Sequence, residues 1–410
     1  MGASGGADAG WTRIGLSVVI AHSLLLQMVT YCLRPSLSYA ALEAGLGSEW
    51  LGLLSAAFAL PGLALAIPSG RLADRVGERA IAIVGGALML AAALTALLGA
   101  SSFVLLIAAT VLFGCGHLLT VVSDQAVLAN RTPAAKRDAV FGGYALSISL
   151  GQGLGGALLA INAGSAATPD LDLQFGLSVA ITALGFAAAV FLPRSAPHPL
   201  GTPRPPKVPV LSMLRRPAVL RAVLASSIVV TAVEISLVYF PALGYEMGYP
   251  AAVVSAMLVT RAAAGMLSRI GLGIALRTLG RRRLMVGSVA ASALAMAAVA
   301  VPLGPVWTIA ACAVFGLLNG FCQPLTLSWL SEIAPPGQRA TLMSVRLASV
   351  RISQTALPAG VGLFGAVVGA GGVLVVVGGL IGVAAWLSAA IGATPREEPG
   401  EEPGPAAAPS

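Results

Sequence analysis

Charged residues are scarce in this chain. Lys, Arg, Asp and Glu make up 10% of its 410 residues, whereas a soluble domain carries about 25%. Hydrophobic residues make up 57% and occur in runs of about 20, long enough to cross a hydrocarbon core ~30 Å thick. The sequence also lacks the short alternating segments of a transmembrane barrel. This composition excludes a soluble protein and predicts an all-α polytopic membrane protein.

Cysteine is also rare, and the residue patterns of several chemistries are missing. The four cysteines all fall inside apolar runs, which indicates packing thiols rather than a disulfide framework. No group of His, Cys, Asp and Glu has the spacing of a catalytic metal site, and no phosphate-binding Gly-Lys-Ser/Thr loop is present. We therefore expect no catalytic residues, no metal, no cofactor and no enzyme activity.

Twelve spans can be drawn along the chain, and an even number places both termini on one side. The predicted spans are 11–34, 48–69, 79–99, 102–128, 139–163, 171–192, 218–243, 250–276, 283–302, 305–330, 340–366 and 371–392. Loops after spans 2, 4, 6, 8 and 10 hold the basic residues, while loops after spans 1, 5 and 7 are mainly acidic. Basic loops stay in the cytoplasm, so we expect both termini there.

The same rule explains the net charge of +8 without a nucleic-acid partner. Arg greatly outnumbers Lys, and Ala and Gly are abundant. This usage is typical of a GC-rich bacterial genome, so we expect a multi-pass protein of a bacterial plasma membrane.

A Pro-rich, basic segment divides the chain into two halves. We predict a six-helix bundle over 1–193, a cytoplasmic linker over 194–217, a second six-helix bundle over 218–392 and a disordered cytoplasmic tail over 393–410. The halves match at a shift of about 202 residues. Corresponding pairs are Phe113 and Phe315, Gly114 and Gly316, Pro133 and Pro335, Arg137 and Arg339, and Gln152 and Gln354. Matches in register across several spans predict parallel repeats about an axis along the membrane normal.

One charged stretch lies at the turn between spans 2 and 3. It reads GRLADRVGER over 70–79 and carries five charges in ten residues. Together with the twelve spans, the repeat and the central linker, this stretch resembles the signature of the major facilitator superfamily of secondary transporters. The matching residues are Gly70, Leu72, Ala73, Asp74, Arg75, Gly77 and Arg79. The resemblance covers roughly residues 11–392 and implies two bundles that rock about a midplane site.

The charged stretch is also expected to act as a gate. Gly70 and Gly77 allow close backbone approach and positive φ, while the family's pattern implies that Asp74 lies beside the start of span 11. Asp124, in span 4, needs a cation, and an arginine of the loop is the natural one. The expected latch comprises Gly70, Arg71, Asp74, Arg75, Gly77, Arg79, Asp124 and Arg339. The alternative is that these charges only set the topology and solvate a turn.

Other ionisable residues lie within the predicted spans, where such groups indicate function. Glu234, in span 7, is the acid placed away from any cytoplasmic span end, which suits it to bind and release a proton. The alternative is a static ion pair with Arg261 or Arg351. Because arginine stays charged, these two residues favour substrates with an anionic group, or else they bind backbone carbonyls.

Several more residues are candidates for the substrate cavity or for proton transfer. Spans 1, 4, 7 and 10 line much of the cavity in the family that this chain resembles. The candidates on these and neighbouring spans are His22, Gln27, Tyr31, His117, Glu234, Arg261, Asn319, Gln323, Trp329, Arg346 and Arg351. The histidines are either polar packing residues or proton carriers, and some of the other residues could face lipid or another helix.

Span 5 carries Gly142, Gly151 and Gly155 at a spacing that partly matches the exporter branch of the family, although Gly156 stands where that branch has proline. A helix-packing seam of small residues is the alternative. We favour proton-coupled efflux of a small organic compound such as a drug or metabolite. The alternatives are proton-coupled uptake of a small organic acid or other nutrient, and a non-transporting membrane sensor or scaffold. The expected partners are a small-molecule substrate, protons and the lipid bilayer, with the chain as a monomer.

Overall fold

The computed structural model describes residues 13–133, 136–193, 214–333 and 339–390, and their secondary structure is entirely helical. The helices are α1 Arg13–Glu43, α2 Ser48–Val76, α3 Glu78–Gly99, α4 Phe103–Arg131, α5 Arg137–Leu158, α6 Leu171–Val190, α7 Pro217–Glu246, α8 Ala251–Leu279, α9 Arg281–Val299, α10 Pro305–Ile333 and α11 Arg339–Ala389. Ten of these eleven helices are long and apolar enough to cross a membrane. The exception among the described helices is α5, in which Gly, Ser and Gln dilute the apolar residues. The protein is thus an all-helical, multi-pass membrane protein.

The last helix covers both of the last two predicted spans. It runs for 51 residues, and Gly369 interrupts it with φ 64° and ψ −175°. Glycine adopts this backbone conformation without a steric penalty from Cβ. The described residues therefore contain eleven helices where the sequence predicts twelve spans, because one helix is broken by a kink instead of ending at a loop.

The turns of the predicted repeat have the same geometry in both halves. Gly77 separates α2 from α3 with φ 87°, and its N–H bonds the carbonyl of Ala73. Gly280 separates α8 from α9 with φ 73°, and its N–H bonds the carbonyl of Leu276. Gly70, by contrast, lies inside α2, so the positive φ expected of the signature glycines belongs to Gly77.

The two halves share one apolar core, because α2 packs on α11, α5 packs on α8 and α1 packs on α7. Large side chains from both halves contribute to it, among them Tyr39, Phe113, Tyr239 and Phe315, all with less than 2% exposure. This arrangement leaves the facing sides of α1, α5, α7, α8 and α10 around a central space.

One end of the molecule is held together across the halves. We call it the joined end; it carries the connections 44–47, 159–170 and 247–250. There the hydroxyl of Ser48 donates to the carboxylate of Glu246, which also accepts the backbone N–H of Ala370 at 2.8 and 2.9 Å. The hydroxyl of Ser255 donates to the carbonyl of Gly156 at 2.8 Å. These bonds join α2 to α7 and α5 to α8.

Candidate functional site

A cavity of about 120 Å³ lies between the two halves. Its polar lining comes from five helices, so that no single helix could form it alone. The polar lining residues are Tyr31, Ser149, Gln152, Glu234, Arg261, Arg269, Asn319 and Gln323. The structure thus brings five of the predicted candidates around one space: Tyr31, Glu234, Arg261, Asn319 and Gln323.

Glu234 forms an ion pair with Arg34, whose Nη1 donates to Glu234 Oε2. The arginine side chain is 3% exposed and the carboxylate 29%, so the pair is buried on one side and open on the other. The Arg34 guanidinium also lies over the Phe58 ring, 4.1 Å from its centroid. The alternative interpretation of Glu234, a static ion pair with Arg261 or Arg351, named the wrong partner, because α1 extends far enough to place Arg34 beside the carboxylate.

The sequence predicts that the first span ends at Arg34. The structure continues α1 to Glu43, with Pro35 inside the helix. The hydroxyls of Ser36 and Ser38 bond the carbonyls of Cys32 and Arg34, one turn back. These hydroxyls satisfy backbone acceptors locally. The polar residues that have the pattern of a loop therefore belong to a buried helix, and Arg34 lies beside Glu234.

Arg261, on α8, is a second arginine at the cavity. Its Nη2 donates to the hydroxyl of Tyr31 at 2.9 Å, and its guanidinium is 5.3 Å from the centroid of the Tyr31 ring. The side chain is buried, and its Nε has no hydrogen-bond partner among the described residues. The same is true of Nδ2 of Asn319, on the neighbouring helix α10. Two buried donors therefore remain free in one wall of the cavity.

Arg269 is a cavity residue that the sequence reasoning missed. It lies two turns after Arg261 on α8, and its Nη1 donates to Ser149 Oγ at 2.7 Å and to the Ala145 carbonyl at 3.5 Å. The available signal was a second arginine inside an otherwise apolar span, since such residues face a protein interior or a cavity.

Arg346 and Arg351 lie on α11, outside the lining of this cavity. Arg346 Nε donates to Ser226 Oγ at 2.7 Å, and Arg351 Nη1 donates to Gln354 Oε1 at 3.1 Å. His117 stacks near Phe58, with 5.3 Å between ring centroids. Gln27 accepts a hydrogen bond from Nε2 of the lining residue Gln152 at 3.5 Å. These four predicted candidates are therefore not part of the cavity lining.

A second buried pair lies within the first half. His22 Nδ1 is 2.7 Å from Asp124 Oδ1, and the two side chains are 2% and 0% exposed. The sequence assigned Asp124 to an arginine of the 70–79 loop, but among the described side chains its partner is His22. The side chain of Arg71 lies outside the described residues, and Arg75 is exposed. The buried position of Asp124 favours the partner on the adjacent helix α1.

The proposed latch falls largely outside the described side chains. The structure places Gly70, Arg71 and Asp74 in the last turns of α2 but does not describe their side chains, and the same holds for Arg339 at the start of α11. Arg79 is half-buried in the first turn of α3. The latch therefore stays a prediction.

The glycines of α5 form a packing seam. A Cβ at Gly151 would meet α1 at Gln27 Cβ (2.9 Å) and Met28 N (3.1 Å), and a Cβ at Gly155 would meet Tyr31 Cβ (2.9 Å). Gly142 has nothing within 4 Å. Two of the three glycines predicted from the exporter pattern are thus required by close contact between α1 and α5.

Metal ligands are not grouped in the described part of the chain: it holds no cluster of three or more His, Cys, Asp or Glu side chains. The four cysteines are free thiols, three of them buried. The polar chemistry of the central site accordingly comes from guanidinium, carboxylate, hydroxyl and amide groups.

Solved structures of transporters share this fold. The nucleoside transporter NupG superposes with a TM-score of 0.77 at 13% identity, covering 92% of this chain and 99% of the other. A D-xylose-proton symporter gives 0.74 at 15% identity, over 91% and 96% of the two chains. A peptide transporter called POT, in complex with sulfate, gives 0.72 at 18% identity, over 92% and 94%. At such low identity these likenesses establish the fold.

The family itself is established by sequence. No curated protein sequence matches the chain significantly. The family model described as Major Facilitator Superfamily, however, matches residues 20–358 and 273–409. These ranges include every helix that lines the cavity and most of the chain, and so this multi-pass membrane protein belongs to the Major Facilitator Superfamily of transporters.

Proposed function

We propose that this protein transports a small organic anion together with protons, by alternating access of its two halves to the central cavity. The observation that carries the proposal is the charge around that cavity. Two arginines, Arg261 and Arg269, line it with one carboxylate, Glu234, and that carboxylate is paired with a third arginine, Arg34. Unpaired positive charge in a low-dielectric site is unfavourable, and an anionic substrate offsets it.

The Arg34–Glu234 pair supplies the coupling. When Glu234 binds a proton, it no longer neutralises Arg34, so the positive charge facing the cavity rises by one. An anion then binds more strongly, and the proton and the anion favour each other's binding reciprocally. For a cation the sign reverses, because proton and cation would compete. An anion-selective cavity with this pair therefore favours movement of both in the same direction.

This reasoning supports the organic-acid uptake reading of the sequence over efflux. The export expectation depended on the α5 glycines, two of which pack against α1. A helix contact of that kind carries no information on direction. Co-transport down the inward proton gradient of a bacterial plasma membrane is uptake.

The remaining features complete the proposal. The two halves form six-span bundles that rock around the cavity. The bonds of Ser48 and Glu246 at the joined end, which faces outward in this proposal, hold the state seen here. Asp74 latches the opposite, cytoplasmic end in the alternate state. Asp74→Asn should leave membrane insertion unchanged and cut flux severely in vesicles, and normal flux in that variant would refute the latch. The working unit is a monomer.

Purified protein in liposomes with an imposed pH gradient tests the function. The initial uptake of radiolabelled butyrate with the outside acidic should exceed the passive weak-acid uptake into protein-free liposomes, while the uptake of butyramide and butylammonium should equal that into protein-free liposomes. Glu234→Gln should remove the dependence on the gradient, because the amide cannot exchange a proton. Glu43→Gln, an exposed acid at the end of α1, is the matched control and should behave as wild type. Movement of the substrate against the proton flow, or a preference for the cation, would overturn the proposal in favour of antiport.

A further inference from the structure

Two arginines on α8 face the cavity without an acidic partner. Arg261 bonds Tyr31, and Arg269 bonds Ser149 and the Ala145 carbonyl. Neither forms an ion pair with a carboxylate in the described ranges, where Glu234 is bound to Arg34. After that pair is counted, the site retains two positive charges, which two negative charges on a substrate would balance.

The two guanidinium groups are held at different positions of the same cavity. Arg261 and Arg269 are eight residues apart on α8, a backbone rise of about 12 Å at ~1.5 Å per residue, and both line the same space. Arg261 is bound to Tyr31 on α1, whereas Arg269 is bound to Ser149 on α5. A short chain with an anionic group at each end can contact both positions.

Each arginine is accompanied by its own set of polar groups. Near Arg261, two buried donors, Arg261 Nε and Asn319 Nδ2, have no partner in the described structure, and these residues are 5% and 8% exposed. Arg269 is accompanied by the Ser149 hydroxyl at 2.7 Å. Buried donors that lack partners are unfavourable, and a carboxylate accepts from guanidinium and amide together.

We propose that the substrate is a short-chain dicarboxylate, with one carboxylate bound by Arg261 and Asn319 and the other by Arg269 and Ser149. The inference depends on the proposed function, since it specifies the anion that the cavity carries. A phosphate monoester has the same total charge but carries it at one end, so it satisfies only one of the two positions.

The test compares four probes of similar size in the same liposomes: succinate, butyrate, succinamide and propyl phosphate. Succinate should have a KM at least about tenfold below that of butyrate or propyl phosphate, the effect of one additional charge-assisted hydrogen-bonded contact. Succinamide should not be transported. Thermal stabilisation of the purified protein should follow the same order, which reports binding without transport.

Variants of the two arginines separate the positions. Arg269→Gln should raise the KM of succinate to the wild-type value for butyrate, and Arg269→Lys should retain most of the preference. Arg261→Gln should weaken both substrates. Arg277→Gln, an exposed arginine near the end of the same helix, is the matched control and should retain the preference.

The possible failures are distinguishable. Equal KM values for succinate and butyrate with intact proton coupling would overturn the two-position site and leave the proposed function standing. A preference for propyl phosphate would assign both charges to one end and also overturn it. If no anion is transported or bound, both proposals fail.

Discussion

The two sides of the cavity occupy equivalent places in the repeat but differ in charge. Gly77 and Gly280 correspond at 280 − 77 = 203 residues, and at that spacing Tyr31 corresponds to Glu234 and Phe58 to Arg261. Packing supports the equivalence, because a Cβ at Gly114 would collide with the backbone of Phe58 and one at Gly316 with that of Arg261. On the first side, Arg34 lies over the Phe58 ring and is bound to Glu234. On the second side, Arg261 lies over the Tyr31 ring.

In the proposed function, this difference assigns a separate task to each side. On the side of Glu234 the arginine is neutralised by a group that can exchange a proton. On the side of Tyr31 the arginine has only a hydroxyl and a ring, neither of which cancels its charge. The first side is suited to coupling and the second to anion binding, and breaking each side separately tests that division.

The largest effect is expected from Arg34→Gln, which removes the ion pair and leaves Glu234 alone in a buried position. Breaking such a pair costs about 3–5 kcal/mol, so a pH gradient should no longer drive accumulation, with a loss of about a hundredfold or more in initial flux. Liposome uptake with and without the gradient measures it. Arg34→Lys should retain part of the flux, and Arg216→Gln, a change at an exposed arginine, should retain all of it. Full coupling in Arg34→Gln would exclude the Arg34–Glu234 pair from the mechanism.

A smaller effect is expected when the second side is made to resemble the first. Tyr31→Glu places a carboxylate beside Arg261 and should weaken anion binding about tenfold or more, because the introduced charge competes with the substrate for the guanidinium. Tyr31→Gln, which adds no charge, is the matched variant. Titration of purified protein with butyrate measures both, and equal affinities for the two variants would contradict the assignment of anion binding to Arg261.

The pair outside the cavity should behave differently from both sides. His22 and Asp124 are joined within the first half, so Asp124→Asn should lower thermal stability, by about 1–3 kcal/mol for a disrupted buried hydrogen bond. It should leave the ratio of fluxes with and without a pH gradient unchanged. Thermal denaturation in detergent measures the loss of stability, and fluxes with and without the pH gradient give the ratio. A changed ratio would make His22 and Asp124 a second coupling site.

The smallest effect belongs to Tyr31→Phe, which keeps the ring near Arg261 and removes the 2.9 Å hydrogen bond. One such bond contributes about 0.5–1.5 kcal/mol, so butyrate affinity should change by about two- to thirteenfold without loss of proton coupling. The same titration measures it. Loss of coupling in this variant would show that the second side is not confined to substrate binding.

Much of this architecture could be predicted from local patterns. Apolar runs and basic loops follow from the energetics of the bilayer, and Gly77 follows from the need for positive φ at a sharp turn. The candidates Tyr31, Glu234, Arg261 and Asn319 could be identified because polar residues are costly inside apolar helices. Arg34 could not be identified in this way, since Pro35 and the serines after it give the pattern of a helix end.

The sequence by itself determined the membrane class, the repeat and the family, because each depends on residue type and spacing along the chain. Only the tertiary structure decided which charges meet. Arg34 and Glu234 are 200 residues apart, and Arg261 and Tyr31 are 230 apart; their contact depends on how α1, α7 and α8 pack. Charge interaction acts through space, so the division between a neutralised arginine and a free one is a property of the packed helices.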